Sequence, residues 1–226
     1  MSKELITFTS EEKRIIKNQF FPSTATDNEM IYCMNIAKSL GLNPIAKEIF
    51  FIERKSKVNG QWVSKVEPML GRDSYIKVAH LTGLFAGIET SSKVEKVPTF
   101  VNGEWQEKND LIATCKVYRK DIKRPFVVTV RYAEYVQTKS NGEITKFWKE
   151  KPDTMLKKVA ESQALRKAFN INGAYAIEEV NDVIIDTEQP RQQTQQIEAQ
   201  DEPDYNEVVE VESTPLEVSF ETIDAD

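Results

Sequence analysis

Apolar residues return at helical spacing most clearly between Trp148 and Tyr175, in WKEKPDTMLKKVAESQALRKAFNINGAY. Met155, Leu156, Val159, Ala160, Ala164, Leu165, Ala168 and Phe169 form one core-facing stripe there. The spacing predicts a single amphipathic helix. Pro152 ends anything helical before it, Asp153 serves as N-cap, and Gly173 lets the chain turn out. Upstream, Thr9 with Glu12 and Thr26 with Glu29 are capping-box pairs. They open a short helix carrying Ile15, Ile16 and Phe20, then a longer one carrying Met30, Cys33, Met34, Ala37 and Leu40, which Gly41 closes. Another helix is expected after Gly71-Arg72, with Asp73 as N-cap, Tyr75, Ile76, Ala79 and His80 along it, and Gly83 at its end.

The pattern changes period elsewhere. After the Asn43-Pro44 turn, EIFFIER reads as a strand, and Asn59-Gly60 is a hairpin turn into a return strand with Trp62, Val63 and Val66. From Leu84 to Tyr132 the pattern is β: Asn102-Gly103 marks a turn, Ile112 to Tyr118 alternates, RKDIKRP reads as a loop, and Phe126 to Tyr132 returns. Ser140-Asn141-Gly142 is a further turn. The fold class is α+β, helices packed on small antiparallel β-hairpins or a sheet. After about Ile185 the chain becomes rich in Gln, Glu and Pro with few large apolar residues, and such a stretch should not hold a core. We therefore expect a core over residues 1–185 and a disordered acidic tail over 186–226.

Charge divides along the same line. The 226 residues carry a net −6, but residues 186–226 hold thirteen acids and one base, Arg191, a net of −12. Residues 1–185 keep 29 bases against 23 acids, a net of +6. A basic body suggests a polyanion partner, with the tail as solubiliser, competitor or docking arm.

Three places concentrate the cations. On the long helix Lys158, Ser162 and Arg166 step by four along a second face, flanked by Lys157 and Lys167. That spacing fits a solvated face as well as a phosphate-binding row, and Glu161 is placed to engage Lys157 in a surface ion pair. The RKDIKRP loop gathers Arg119, Lys120, Lys123 and Arg124 at a hairpin tip, a clamp for a phosphate backbone or simply a polar turn. Lys146, Phe147, Trp148, Lys149 and Lys151 interleave rings with ammonium groups, so that a ring can stack on a base while the cations hold phosphates. Trp148 suits the core equally well.

Other chemistries lack their residues. There is no GxxxxGK[ST] loop for nucleotide hydrolysis. One histidine, His80, and two separated cysteines cannot make a standard zinc site, and the acids of the body are scattered rather than paired for metal. No apolar run reaches the length of about eighteen residues that spans a membrane, and MSKELITFTSEEKR lacks the apolar core of a signal peptide. Cys33 and Cys115 fit buried thiols of a reducing cytoplasm.

The order LGLNPIAKEIFF, GRDSYIKVA, CKVYRKDIKRPF and FWKEKPDTMLKKVAESQALRKAFNINGAY, over roughly residues 20–180, resembles the phage RecT/Red-beta (Bet) family of single-strand annealing proteins. The resemblance implies a non-enzymatic, ATP-independent protein that binds single-stranded DNA and holds the annealed duplex intermediate. It implies a homo-oligomeric ring or helical filament in the cytoplasm of an infected or lysogenic bacterial host. The implied partners are a phage 5′→3′ exonuclease and host single-strand-binding protein, with no membrane. No cofactor is implied as required, and Mg2+ has at most a modulatory role. Lys157 and Arg166 match basic positions of the family's DNA-facing helix and Gln163 a polar one, while Arg119 and Lys120 match its hairpin turn. Gly71, Asp73 and Tyr75 match the start of a helix in the family. Lys157, Arg166, Gln163, Arg119, Lys120 and Tyr75, with Lys158, Lys167, Lys149, Trp148 and Arg72, make the expected DNA-binding set; Lys157→Ala or Arg166→Ala is expected to weaken DNA binding with little loss of fold. The rival functions are a single-strand-binding protein that protects DNA without pairing it, and a nuclease.

Overall fold

A computed structural model describes residues 6–59, 61–139 and 141–179. The expected tail lies outside them. The chain opens with α1 (Ser10–Gln19) and α2 (Asp27–Leu40). Both start on a complete capping box: each threonine hydroxyl takes an amide of the first turn, and the glutamate returns to the threonine amide. Glu29 does more than cap. It also accepts the Val66 amide at 2.9 Å, tying α2 to the neighbouring sheet, and these backbone bonds, with the Thr26 hydroxyl, hold its carboxyl below the usual carboxylate range. At the far end Gly41 takes a left-handed φ of 71° and returns its amide to Ala37 and Lys38, closing α2 as expected.

Two small sheets follow. The hairpin β1 (Phe50–Val58) and β2 (Gln61–Leu70) is antiparallel about Asn59, which takes a φ of 50°. A late two-residue strand, β6 (Tyr175–Ala176), adds to β2 in parallel through Met69↔Tyr175 and Leu70↔Ala176. Between them α3 (Arg72–Leu81) leads into the second sheet, β3 (Phe85–Val101), β4 (Glu104–Arg119) and β5 (Ile122–Arg131), all antiparallel in that order. Short α4 (Tyr132–Tyr135) and α5 (Lys146–Glu150) precede α6 (Pro152–Phe169), and a 3-10 turn, Ile177–Glu179, ends the described chain. The architecture is α+β. β3 and β4 outrun β5 by a wide margin: their ladder continues to Val101↔Glu104, whereas β5 reaches only Ile112↔Arg131.

The core gathers around α6. Its Leu156, Val159, Ala160, Ala164, Leu165 and Ala168 are buried against the inner face of the second sheet, where Ala113, Cys115 and Val117 alternate inward along β4, and beside α3. Cys33 and Cys115 are both free and buried, and burial pushes their thiols up to about 12 and about 11, which keeps them protonated and unreactive. No helix among the described residues is long and apolar enough to cross a membrane.

Several boundaries fall elsewhere than the sequence suggests. Pro152, not Asp153, opens α6, because proline's fixed φ and missing amide suit the first helical position. Asp153 lies inside the first turn, where its carboxylate accepts Lys157 Nζ at 2.8 Å and the Ser92 hydroxyl. The helix stops at Asn170, left-handed at φ 51°, three residues before Gly173. Gly173 still turns the chain, with a φ of 91° that other residues rarely adopt, and a Cβ there would meet the Ile36 side chain of α2 at 2.8 Å. Gly71, not Asp73, caps α3, and Asp73 points to solvent. The RKDIKRP loop shrinks to a two-residue turn, with the strands running to Arg119 and Ile122.

Candidate nucleic-acid interface

The cation row on α6 does not face open solvent. Ser162, its middle member, is fully buried, and α6 is covered on that side by α3 and by the segment that runs from β6 into Ile177–Glu179. Arg166 bonds Glu179 through Nη2 at 2.8 Å and lies 5.3 Å over the Tyr175 ring. Lys158 Nζ stands 3.8 Å from Glu178 Oε1. The spacing by four is real, but the chain's own acids occupy it.

The flanking positions are also engaged. Lys157 pairs with Asp153 one turn back, not with Glu161. Glu161 instead takes Arg72 Nη1 at 3.2 Å, while Arg72 Nε faces Asp73 at 2.9 Å, so Arg72 links α3 to α6. Gln163 Nε2 donates to the Tyr135 hydroxyl at 2.8 Å. The Lys157–Asp153 pair is exposed enough that water can take its place at little cost.

Tyr75 and Trp148 leave the expected DNA-binding set altogether. Tyr75 is fully buried and donates its hydroxyl to the Ala174 carbonyl at 3.1 Å; burial raises its phenol well above the usual range. Trp148 is 0% exposed and packs at 5.7 Å on Tyr132, whose hydroxyl donates to the Trp148 carbonyl. A base cannot stack on a ring that the core already covers on both faces. The next residue back, Phe147, is 53% exposed. One step along a helix turns the side chain by about 100°, so burying Trp148 presents Phe147. The exposed group at the entry to α6 is therefore Phe147 with Lys146, Lys149 and Lys151, none of them in an ion pair among the described residues.

A second group forms at the exit of α6. Arg119 binds Asp121 through two nitrogens, at 2.9 and 2.6 Å, and donates Nη1 to the Ala168 carbonyl at 2.6 Å. Its guanidinium also lies 5.4 Å from the Phe169 ring centre. Arg119 thus serves the last carbonyls of α6, and its hydrogen bonds draw the Asp121 carboxyl down. This contact brings the turn carrying Lys120 beside the last helical turn carrying Lys167. Both lysines are exposed and unpaired among the described residues. Over the 18 residues of α6 the two groups stand about 27 Å apart.

The acids against α6 titrate abnormally. Glu178 is buried, burial raises its carboxyl above the usual range, and Lys158 and Arg72 offset only part of that. Glu179 is raised for the same reason despite Arg166. A carboxyl raised in the folded state binds its proton more tightly there than in the unfolded chain. Its contribution to stability therefore falls as pH rises from the unfolded to the folded value. Glu178→Gln is expected to stabilise the protein near neutral pH and to make no difference at a pH low enough to protonate both states. Urea midpoints of both proteins across pH 4 to 8 check this; a gap that stays flat would remove Glu178 as the cause.

The sequence profile of the RecT family matches residues 7–195, most of the chain, and the protein belongs to that family. Over 176 residues it is 27% identical to the recombination protein Bet of Escherichia phage lambda, an alignment that takes in 76% of this chain and 59% of the phage protein. The chain thus matches about three fifths of that relative's length.

Proposed function

We propose that this protein binds single-stranded DNA and anneals complementary strands during phage recombination, as a self-associated ring or filament and without nucleotide hydrolysis. Membership of the RecT family carries the reading, supported by the similarity to a phage recombination protein. The exposed cations at both ends of α6 supply the chemistry. Lys146, Lys149 and Lys151 at the entry and Lys120 and Lys167 at the exit lower the repulsion between two phosphate backbones. Phe147 offers a face on which a base can stack. Lys157, Lys158 and Arg72 join them where phosphate displaces their carboxylate partners, while Arg166 stays with the buried Glu179. Watson–Crick pairing selects the partner strand, so the protein needs no base readout. Residues 186–226, with their net of −12, compete with DNA at low salt and dock the exonuclease or host single-strand-binding protein.

The test is a strand-pairing assay with two labelled complementary oligonucleotides, no nucleotide, with and without Mg2+. Rapid duplex formation is expected in both conditions. Binding without acceleration of pairing would reduce the protein to a protective single-strand binder, and Mg2+-dependent loss of label would make it a nuclease. Phe147→Ala, Lys149→Ala and Lys167→Ala should each weaken DNA binding at unchanged stability, because all three side chains are exposed. For the lysines the slope of log K against log salt should flatten by somewhat under one unit, roughly the loss of one phosphate contact. Unchanged slopes would move the interface away from α6.

A further inference from the structure

At Ser92↔Ala113 the inner face of the second sheet is still covered by α6, whose Asp153 accepts the Ser92 hydroxyl. Further out, past the start of α6 and past the last pair of β5 at Ile112↔Arg131, β3 and β4 run on as a ribbon of two strands among the described residues. Such a ribbon is marginal in water unless something packs on it. Strand alternation puts Val94, Lys96 and Phe100 of β3 and Trp105 and Glu107 of β4 on the side that α6 covers lower down. Val94 is 68%, Phe100 60% and Trp105 71% exposed. Phe100 and Trp105 oppose each other with ring centres 5.3 Å apart and planes inclined by 58°, so the pair is tilted rather than stacked and keeps ring surface open.

Charge divides between the two faces of the ribbon. On the ring face Lys96 and Glu107 cancel. Glu95, Glu104 and Asp110 lie on the other face, where Glu95 pairs with Lys93 and Asp110 accepts the Leu111 and Ala133 amides. Three of the four acids between residues 95 and 110 therefore point away from the rings. At the root of the ring face stands the exposed group at the entry to α6, Phe147 with Lys146, Lys149 and Lys151. It is held there by the Tyr132 hydroxyl on the Trp148 carbonyl and by Asp153 on Ser92. From Val94 to Phe100 the neutral face adds about 20 Å beyond those cations. Rings that continue a cluster of ammonium groups are the composition of a single-strand platform, where bases stack and cations hold phosphates.

We propose that Phe100 and Trp105 stack on unpaired bases of a DNA strand that leaves the entry of α6 along this ribbon. The proposal rests on the DNA binding inferred above and extends its base contacts from Phe147 to the far end of the ribbon. Bases within a duplex are already stacked on their neighbours, so this face prefers the single strand and holds it before pairing.

The experiment titrates the full chain with a labelled oligothymidylate and, separately, with a blunt duplex, each across a salt series. Phe100→Ala and Trp105→Ala should each weaken single-strand binding about tenfold, as loss of one stacked base does, while duplex affinity stays within about twofold. The slope of log K against log salt should not change, because a ring releases no counterion. Trp105→Phe should bind nearly as the wild type does but lose the quenching of the exposed indole that DNA produces. Glu107→Lys, on the ring face, should tighten binding more than Glu104→Lys on the opposite face. Circular dichroism and the mass of the DNA-free protein should be unchanged in every variant. A wild-type chain that binds no single strand would overturn both the DNA binding and this platform. Wild-type binding with affinity unmoved in both alanine variants would overturn the platform alone, as would equal losses on duplex or equal gains from the two lysines. A fall in the mass of the DNA-free alanine variants would show that the rings seat a second copy, and would overturn the proposal.

Discussion

Trp148→Ala is expected to cost about 3–5 kcal/mol of stability, the range for deleting a large aromatic from a packed core. Trp148, the buried residue of α5, is among the largest fully buried side chains, packed in the core against Tyr132. The cavity would open where the chain turns from the second sheet into α6, so collapse is resisted from several elements. Its indole Nε1 finds no partner in the core. Trp148→Phe therefore gives up packing without breaking a hydrogen bond, and should cost far less. Thermal or urea unfolding of the two variants measures both effects. DNA affinity supplies the contrast: Trp148→Phe should bind as the wild type does, whereas Phe147→Ala should bind more weakly. A stable Trp148→Ala protein with impaired binding would place the indole on the DNA after all.

Arg166→Ala is expected to cost roughly 3 kcal/mol, the low end of the range for removing one partner of a buried ion pair, since Arg166 keeps about a quarter of its surface. The loss comes chiefly from what remains. Glu179, 8% exposed by side chain, would keep a carboxylate with no cation in reach, and the Tyr175 ring would lose the guanidinium above it. The expectation from sequence, a lost phosphate contact at little cost to the fold, changes for that reason. Glu179→Gln in the same chain should recover part of the stability, because it removes the stranded charge. Urea titrations of the two single variants and the double variant read the coupling. An Arg166→Ala protein as stable as the wild type, binding DNA poorly, would show that the guanidinium works outward and that the pair with Glu179 is dispensable.

What could be read from sequence was local. Thr9 with Glu12 and Thr26 with Glu29 close their hydrogen bonds within four residues, so no distant part of the fold can reassign them. Asn59 and Asn102 take the left-handed conformation that hairpin turns demand. The apolar stripe of α6 is buried almost as the period requires. Readings failed where a distant segment decided the matter. Spacing set Lys158, Ser162 and Arg166 on one face, but nothing in the spacing says that Glu178 and Glu179 return to cover it. Phe147 and Trp148 are neighbours of like character, and only the packing of Tyr132 selects which ring goes inside. Arg119 was legible as a cation at a turn; that Ala168 would supply it with a carbonyl was not. The projection of β3 and β4 past β5 has a signal in the sequence: Asn102-Gly103 lies so far from Ile112 that the hairpin must extend beyond any third strand of ordinary length.

The parallel pairing of β6 with β2 has a consequence for how the chain comes to be folded. Met69 meets Tyr175 and Tyr75 meets Ala174, so the first sheet takes its last strand from about a hundred residues further along. Among the described residues every other strand pairing in the two sheets joins neighbours in sequence and can form as soon as its hairpin is made. Closing so long a loop carries an entropy cost that only the finished contacts offset. During synthesis α3 and β2 must therefore wait with an apolar side uncovered until the segment after α6 has emerged. The docking of β6, two residues long, is thus a late step in making the native core, and it sets the acids of residues 178 and 179 over α6 only once the rest is in place.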